Sequence, residues 1–407
     1  MHQPQSIYAP DSRYARLRLA AALMLSTIGS VGMWAVPVAL PAVQADFGVL
    51  RSEASLPFTM MMIGFGAGSV AMGRFADRFG IILPLVCGLA ALCGGYLLAG
   101  MAQNLWQFAL VHLLIGLGSS PSFGPLMADT SHWFVRQRGI AVAIASSGNY
   151  LGGAIWPPVL QHFIANDGWR ATLTGTAIFC AISMLPLVLM LRARAPAHFA
   201  EAASAAASAA RASIGLSPNA ITLLLCVAGV ACCVAMSMPQ VHIVAYCGDL
   251  GYGPARGAEM LAMMLGFGII SRVASGFVAD RIGGIRTLLI SSLLQGAALF
   301  LYLWFSGLVS LYVISALFGL FQGGIVPMYA VIVRDLFSPR EAGTRIGIVL
   351  MSTMLGMALG GWMSGLIFDM TGSYRMAFVN GLAWNLLNLA IALWLLGRAN
   401  RRRLALA

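Results

Sequence analysis

Residues 269–284 read "IISRVASGFVADRIGG", and one arginine, Arg272, stands among Ile, Ser, Val, Ala, Gly and Phe. An arginine at the centre of a membrane helix costs about 2.5–3.5 kcal/mol on insertion scales, so it is kept where it faces a bundle interior or wet cavity and meets an anion. Gly268 and Gly276 flank it at one helical turn on either side and leave space on its face. Apart from Asp129, no acidic residue of the apolar runs lies at matching depth to neutralise it. A guanidinium fork suits a carboxylate bidentately, so an organic anion is the expected partner. The competing reading is an arginine whose stem lies in lipid while its head snorkels to the interface.

Other polar side chains within apolar runs are candidates to complete a substrate cavity. They are Ser122, Asn149, Tyr150, His242, Gln322 and Tyr329. For each, a hydrogen bond to a neighbouring helix is an equally good use. His242 is the histidine considered for proton handling, since imidazole titrates near neutrality; an interhelical hydrogen bond is the favoured alternative. His112 has a weaker claim. The seven cysteines lack metal-ligand spacing, and "GFGAGSVAMG" sits mid-run with no preceding strand, so neither metal nor dinucleotide is expected. No nucleophile–base pair suggests an enzyme, and no cofactor is implied.

Such residues must be positioned by membrane helices. The chain has 407 residues, 59% of them hydrophobic and 9% charged, against about one quarter charged in soluble domains. Its net charge of +11 comes from arginines scattered between apolar runs, which argues for topology rather than nucleic acid. Runs of roughly 20 residues predict twelve spans. The first six are 19–42, 54–73, 82–101, 107–129, 139–162 and 171–191; the second six are 219–245, 258–278, 286–306, 309–333, 346–368 and 376–397. With both termini in the cytoplasm, 19 arginines fall in inner segments and 4 in outer ones, and the reverse orientation is hard to defend. The first run is too long for a signal peptide and is retained as a span. The expected organisation is an all-α membrane protein of two six-helix bundles, residues 1–195 and 219–407, joined by an Ala/Ser-rich cytoplasmic linker, 196–218.

The halves repeat. "GRFADRFG" at 73–80 recurs as "GFVADRIG" at 276–283, an offset of 203 (280 minus 77), which also aligns Gly153 with Gly356. Parallel repeats of this kind suit a transporter with its site near the midplane. On these residues the sequence resembles the major facilitator superfamily over its whole length. The resemblance implies that the loop residues Asp77, Arg78, Asp280 and Arg281 act as gates that must break for alternating access.

"WFVRQRGIAVAIASSGNYLGGAIWPPVL", "PQVHIVAYCGDLGY" and "FDMTGSYRMAF" narrow the resemblance to the monocarboxylate and oxalate/formate porter branch. In that branch a span-8 arginine, two turns before the loop aspartate, receives the substrate carboxylate, and Arg272 stands at that position. The pattern is incomplete: span 1 has no lysine, Gly268 replaces an aspartate expected one turn before the arginine, and span 11 offers Ser352, Thr353 and Trp362 but no second cation. The resemblance therefore implies secondary transport of a small organic monocarboxylate, lactate- or pyruvate-like, with proton symport resting on the family alone. The alternatives are a dicarboxylate or oxalate-type exchanger, a drug-type efflux antiporter and a transporter-like carboxylate sensor. A monomer in a bacterial-type inner membrane is expected, with the lipid bilayer, the organic anion and protons as partners.

Overall fold

In the computed structural model the described residues are 11–134, 138–193, 215–337 and 339–406, and among them every regular element is a helix. The first half contains α1 (Arg13–Gly29, continuing as Val31–Phe47), α2 (Leu56–Phe79), α3 (Ile82–Gly100), α4 (Leu105–Ser119, continuing as Gly124–His132), α5 (Arg138–Asp167) and α6 (Trp169–Leu189). The second half contains α7 (Pro218–Asp249), α8 (Pro254–Ile282), α9 (Gly284–Trp304), α10 (Leu308–Gln322, continuing as Ile325–Leu336), α11 (Pro339–Thr371) and α12 (Arg375–Leu406). A single turn of helix, Arg51–Ala54, lies between α1 and α2. Eleven segments among the described residues are long and apolar enough to cross a bilayer. The remaining long helix, α5, has 30 residues but carries Ser146, Ser147, Asn149 and a Pro157–Pro158 pair within it.

The chain divides into two compact units. One comprises Met1–Val49 and Glu53–His198; the other comprises Leu50–Ser52 and Phe199–Ala407. Most of the expected linker falls outside the described residues.

Lipid offers no hydrophobic drive between helices, so close packing of small residues must join them. In the first unit a Cβ added at Gly116 of α4 would lie 2.0 Å from the Met61 carbonyl of α2. In the second, a Cβ at Gly319 of α10 would lie 1.9 Å from the Met264 carbonyl of α8. Both positions obey the offset of 203 (264 minus 61; 319 minus 116). The α1·α5 and α7·α11 crossings also match, at a different offset. Gly148 meets Leu23 and Ser26, and Gly152 meets Thr27 and Ser30; Gly356 meets Val230 and Cys233, and Gly360 meets Val234 and Ser237. The offset is here 207 on the first helix (230 minus 23) and 208 on the second (356 minus 148). Gly356 is thus the counterpart of Gly148 and not of Gly153. Between these crossings the second half is first four residues shorter (264 minus 230 against 61 minus 23) and then five longer (356 minus 319 against 148 minus 116), which shifts the register without changing the contact.

Helices α4 and α10 are interrupted at equivalent places. Ser120–Ser122 forms a turn of 3₁₀ helix, and Gly323–Gly324 breaks α10. Non-helical backbone at membrane depth must find partners inside the protein. The Gly324 amide donates to Ser271 Oγ at 3.1 Å, and Ser122 Oγ donates to the Ser119 carbonyl at 2.6 Å.

Candidate functional site

Arg272 lies on α8 where that helix crosses the interruption of α10. It is half-buried, and its Nε donates to the Gly323 carbonyl at 3.4 Å. A Cβ at Gly323 would fall 2.3 Å from the Gly268 carbonyl, and one at Gly324 2.2 Å from Ser275 Oγ. Backbone meets backbone on the Gly268 side of Arg272, and the Ser275 side chain closes on Gly324 on the other. The residue stands ten positions (282 minus 272) before the end of α8, about 15 Å of helix, with its guanidinium turned to the crossing.

Gln322, the last residue before the interruption, is fully buried, and neither its Nε2 nor its Oε1 has a hydrogen-bond partner among the described residues. Tyr302 of α9 bonds Ser315 of α10 at 2.8 Å, and seven residues further along these antiparallel neighbours Gln295 comes to the level of Gln322. Gln295 Nε2 donates to the Cys232 carbonyl at 3.4 Å, and Asn385 Nδ2 donates to the Ser292 carbonyl at 2.9 Å. Their amide oxygens lack partners among the described residues. Tyr329 donates to Asn388 Oδ1 at 2.8 Å, and Asn388 in turn donates to Ser292 Oγ at 2.8 Å. A buried polar atom left unpaired costs about 1–3 kcal/mol, so this layer calls for water or a polar ligand group. Gln295, Asn385 and Asn388 were not singled out in the sequence; an amide inside an apolar run was the available signal.

The other candidates are placed differently. Asn149 and Tyr150 are buried in α5. The Asn149 carbonyl accepts from Trp34 Nε1 at 3.2 Å, and its Nδ2 faces Met33 Sδ at 3.8 Å. Ser122 serves the α4 interruption already described. His242 is fully buried with both ring nitrogens engaged: Nε2 bonds the Gly361 carbonyl at 2.7 Å and Nδ1 the Tyr374 hydroxyl at 3.0 Å. His112 bonds its own helix at the Phe108 carbonyl.

At the loop motifs, Arg78 is exposed and stacks over Phe79 at 5.2 Å, while Asp280 and Arg281 are exposed in the last turn of α8. The Asp77 side chain lies outside the described residues. Asp129 is taken by Arg18, whose Nη2 reaches Oδ2 at 2.7 Å. Arg18 also donates to the Leu191 carbonyl at 2.7 Å and lies 4.6 Å over Trp133, so it is a buried, multiply held cation rather than a flanking charge.

A sequence model described as Major Facilitator Superfamily matches residues 22–315 and 269–406. The chain belongs to the Major Facilitator Superfamily. It is a transporter of that superfamily, not an enzyme. It is 27% identical over 362 residues to "Monocarboxylate transporter 13" of Bos taurus, covering 88% of this chain and 83% of that protein. It is 25% identical to "Uncharacterized MFS-type transporter YcxA" of Bacillus subtilis, covering 82% and 83%. It is also 23% identical to "Agnestins efflux protein AgnL12" of Paecilomyces divaricatus, covering 76% and 70%. Among solved structures, a bacterial homologue of the human lysosomal transporter Spinster superposes with a TM-score of 0.70 at 14% identity, covering 97% of each chain. That likeness establishes the superfamily fold.

Proposed function

We propose that this transporter carries a small organic monocarboxylate by alternating access, with Arg272 as the anchor of the carboxylate and Gln322 beside it as a hydrogen-bonding contact. The observation that carries this reading is a half-buried arginine held far from either end of α8, at a crossing paved with glycine. Its planar fork matches a carboxylate in geometry as well as charge. Similarity to monocarboxylate transporter 13 supports the substrate class. Proton linkage, a bacterial-type inner membrane, a monomeric state and gating by Asp77, Arg78, Asp280 and Arg281 belong to the same proposal. Cytoplasmic termini are supported by the arginine asymmetry.

The test is thermal unfolding of the purified protein with a panel of mono- and dicarboxylates, in wild type and Arg272→Ala. A ligand at 100 times its dissociation constant stabilises the fold by about 2.7 kcal/mol. A monocarboxylate is expected to raise the unfolding temperature of wild type only. Equal shifts in both proteins would remove Arg272 from the site. Hydrophobic compounds form the second arm, because one relative is an efflux protein; a response to them alone would favour export of apolar molecules.

A further inference from the structure

Helices α9 and α12 are antiparallel neighbours, and neither holds an acidic residue. They are tied at Ser292, whose Oγ accepts from Asn388 Nδ2 at 2.8 Å and whose carbonyl accepts from Asn385 Nδ2 at 2.9 Å. A Cβ at Gly296 would fall 2.6 Å from the same Asn385 nitrogen, so the helices are in close contact. Counting from this tie in opposite senses brings Arg286 level with Trp394 (292 minus 286; 394 minus 388), about 9 Å away. Arg398 stands one turn beyond Trp394, and its guanidinium folds back to lie 4.8 Å over the indole. Two arginines on adjacent helices thus stand at one level.

Both are exposed, and among the described residues neither is paired with a carboxylate. Arg286 lies in the first turn of α9, which holds no acid and begins without a side-chain cap. The positive end of the helix therefore adds to its charge instead of offsetting it. Arg401, Arg402 and Arg403 follow on α12. The acid nearest Arg286 along the chain is Asp280, exposed at the end of α8.

The surface below the arginines is apolar. Arg286, Ile290, Leu293, Ala297, Phe300 and Trp304 recur at steps of four and three, which makes one stripe on α9, and all six are exposed. The stripe is about 27 Å long, close to the thickness of a bilayer's hydrocarbon core. At its far end Arg375 of α12 lies 5.9 Å over Trp304. Beside it on α12, Leu386, Leu387, Leu393 and Trp394 are exposed. Guanidinia suit a phosphate, and an indole beneath them suits the interface between headgroups and chains.

We propose that the groove between α9 and α12, at the C-terminal end of α12, binds an anionic phospholipid. Its phosphodiester lies between Arg286 and Arg398, and one acyl chain runs along Ile290, Leu293 and Ala297. Basic sites between membrane helices hold anionic headgroups in this way. Arginines that only set topology need no register with an apolar stripe, and a free phosphate would leave that stripe bare; the lipid uses both. The site is separate from the loop motifs and independent of which substrate is carried.

Native mass spectrometry of the full-length protein, released from detergent, tests the site. The probe is 1-palmitoyl-2-oleoyl phosphatidylglycerol, with phosphatidylcholine of the same chains as the neutral control and glycerol phosphate as a headgroup without chains. Wild type is expected to prefer phosphatidylglycerol by about 25-fold, the worth of two surface arginines toward an anionic lipid. Arg286→Gln and Arg398→Gln should each reduce that preference about fivefold, and the double variant should abolish it. Arg286→Lys/Arg398→Lys, which keeps both charges, should retain it. Arg192→Gln/Arg194→Gln removes two charges just beyond α6 and should also retain it. Equal binding of the two lipids by wild type would overturn the site, as would an unchanged preference in Arg286→Gln/Arg398→Gln. An equal loss in the α6 variant would make the attraction diffuse, and displacement of the lipid by glycerol phosphate would leave an anion site with no lipid in it; either result overturns the proposal.

Discussion

The two halves are built on the same helix crossings and place their charge differently. Gly116 on Met61 and Gly319 on Met264 are one contact made twice, and Gly148/Gly152 and Gly356/Gly360 are another. At the offset of 203, the position of Arg272 is held in the first half by Ser69, whose hydroxyl donates to its own helix at the Phe65 carbonyl. Conversely, the buried pair Arg18–Asp129 falls on Leu225 and Ile332 in the second half (18 plus 207; 129 plus 203). Both of those residues are buried and apolar. The glycines recur in both copies, whereas each of these charges stands in only one. The first half neutralises its buried arginine internally. The second keeps Arg272 half-buried at an interrupted helix, the place proposed above for the ligand's charge.

That contrast is most sharply tested at the ion pair. Asp129→Ala leaves a buried arginine, 3% exposed, with its carboxylate removed, and is expected to cost about 3–5 kcal/mol in unfolding stability. The double variant Arg18→Leu/Asp129→Ile installs the residues of the other half. It should recover that loss and is expected to be neutral to about 4 kcal/mol more stable than wild type. Chemical unfolding of the three proteins decides it. A double variant as damaged as the single would mean that the first half requires its charges for folding.

The fold was legible because lipid imposes it: runs of the right length, arginines crowded on one side and a repeated loop motif leave little choice of architecture. Arg272 stands out in the sequence for the same reason, as a charge placed inside an apolar run. What the sequence could not show is pairing across distance. Arg18 and Asp129 are 111 residues apart, and Arg18 reads as one of several charges flanking the first span. Arg51 reads as an ordinary loop arginine until Asp249, Asp369 and Tyr374 are brought around it. The repeat misled at Gly153, because one offset taken from the loops does not survive insertions elsewhere.

A smaller effect is expected at the shared crossings. Gly116→Ala and Gly319→Ala each put a Cβ within 2.0 Å of a backbone carbonyl that cannot rotate away. Overpacking of this kind costs about 1–3 kcal/mol. Equal losses in thermal unfolding would confirm that the two crossings are mechanically equivalent. A much larger loss of ligand binding for Gly319→Ala than for Gly116→Ala would show that the second crossing is also part of the site, since only there does the displaced helix carry Arg272.

The smallest change in stability, and the most informative about the site, is Gln322→Met. The substitution keeps the length of the side chain and deletes two buried polar atoms that have no partner among the described residues. Removing unpaired polar atoms is expected to leave stability unchanged or raise it by about 1 kcal/mol. At Ser119, the equivalent position in the first half (322 minus 203), the hydroxyl is already satisfied by the Ile115 carbonyl, so Ser119→Ala should do little to binding. A Gln322→Met protein that is as stable as wild type but binds carboxylate more weakly would mean that the amide is retained for the ligand at the expense of the fold. Unchanged binding would instead assign the unpaired amides to internal water and leave Arg272 as the one side chain by which the second half departs functionally from the first.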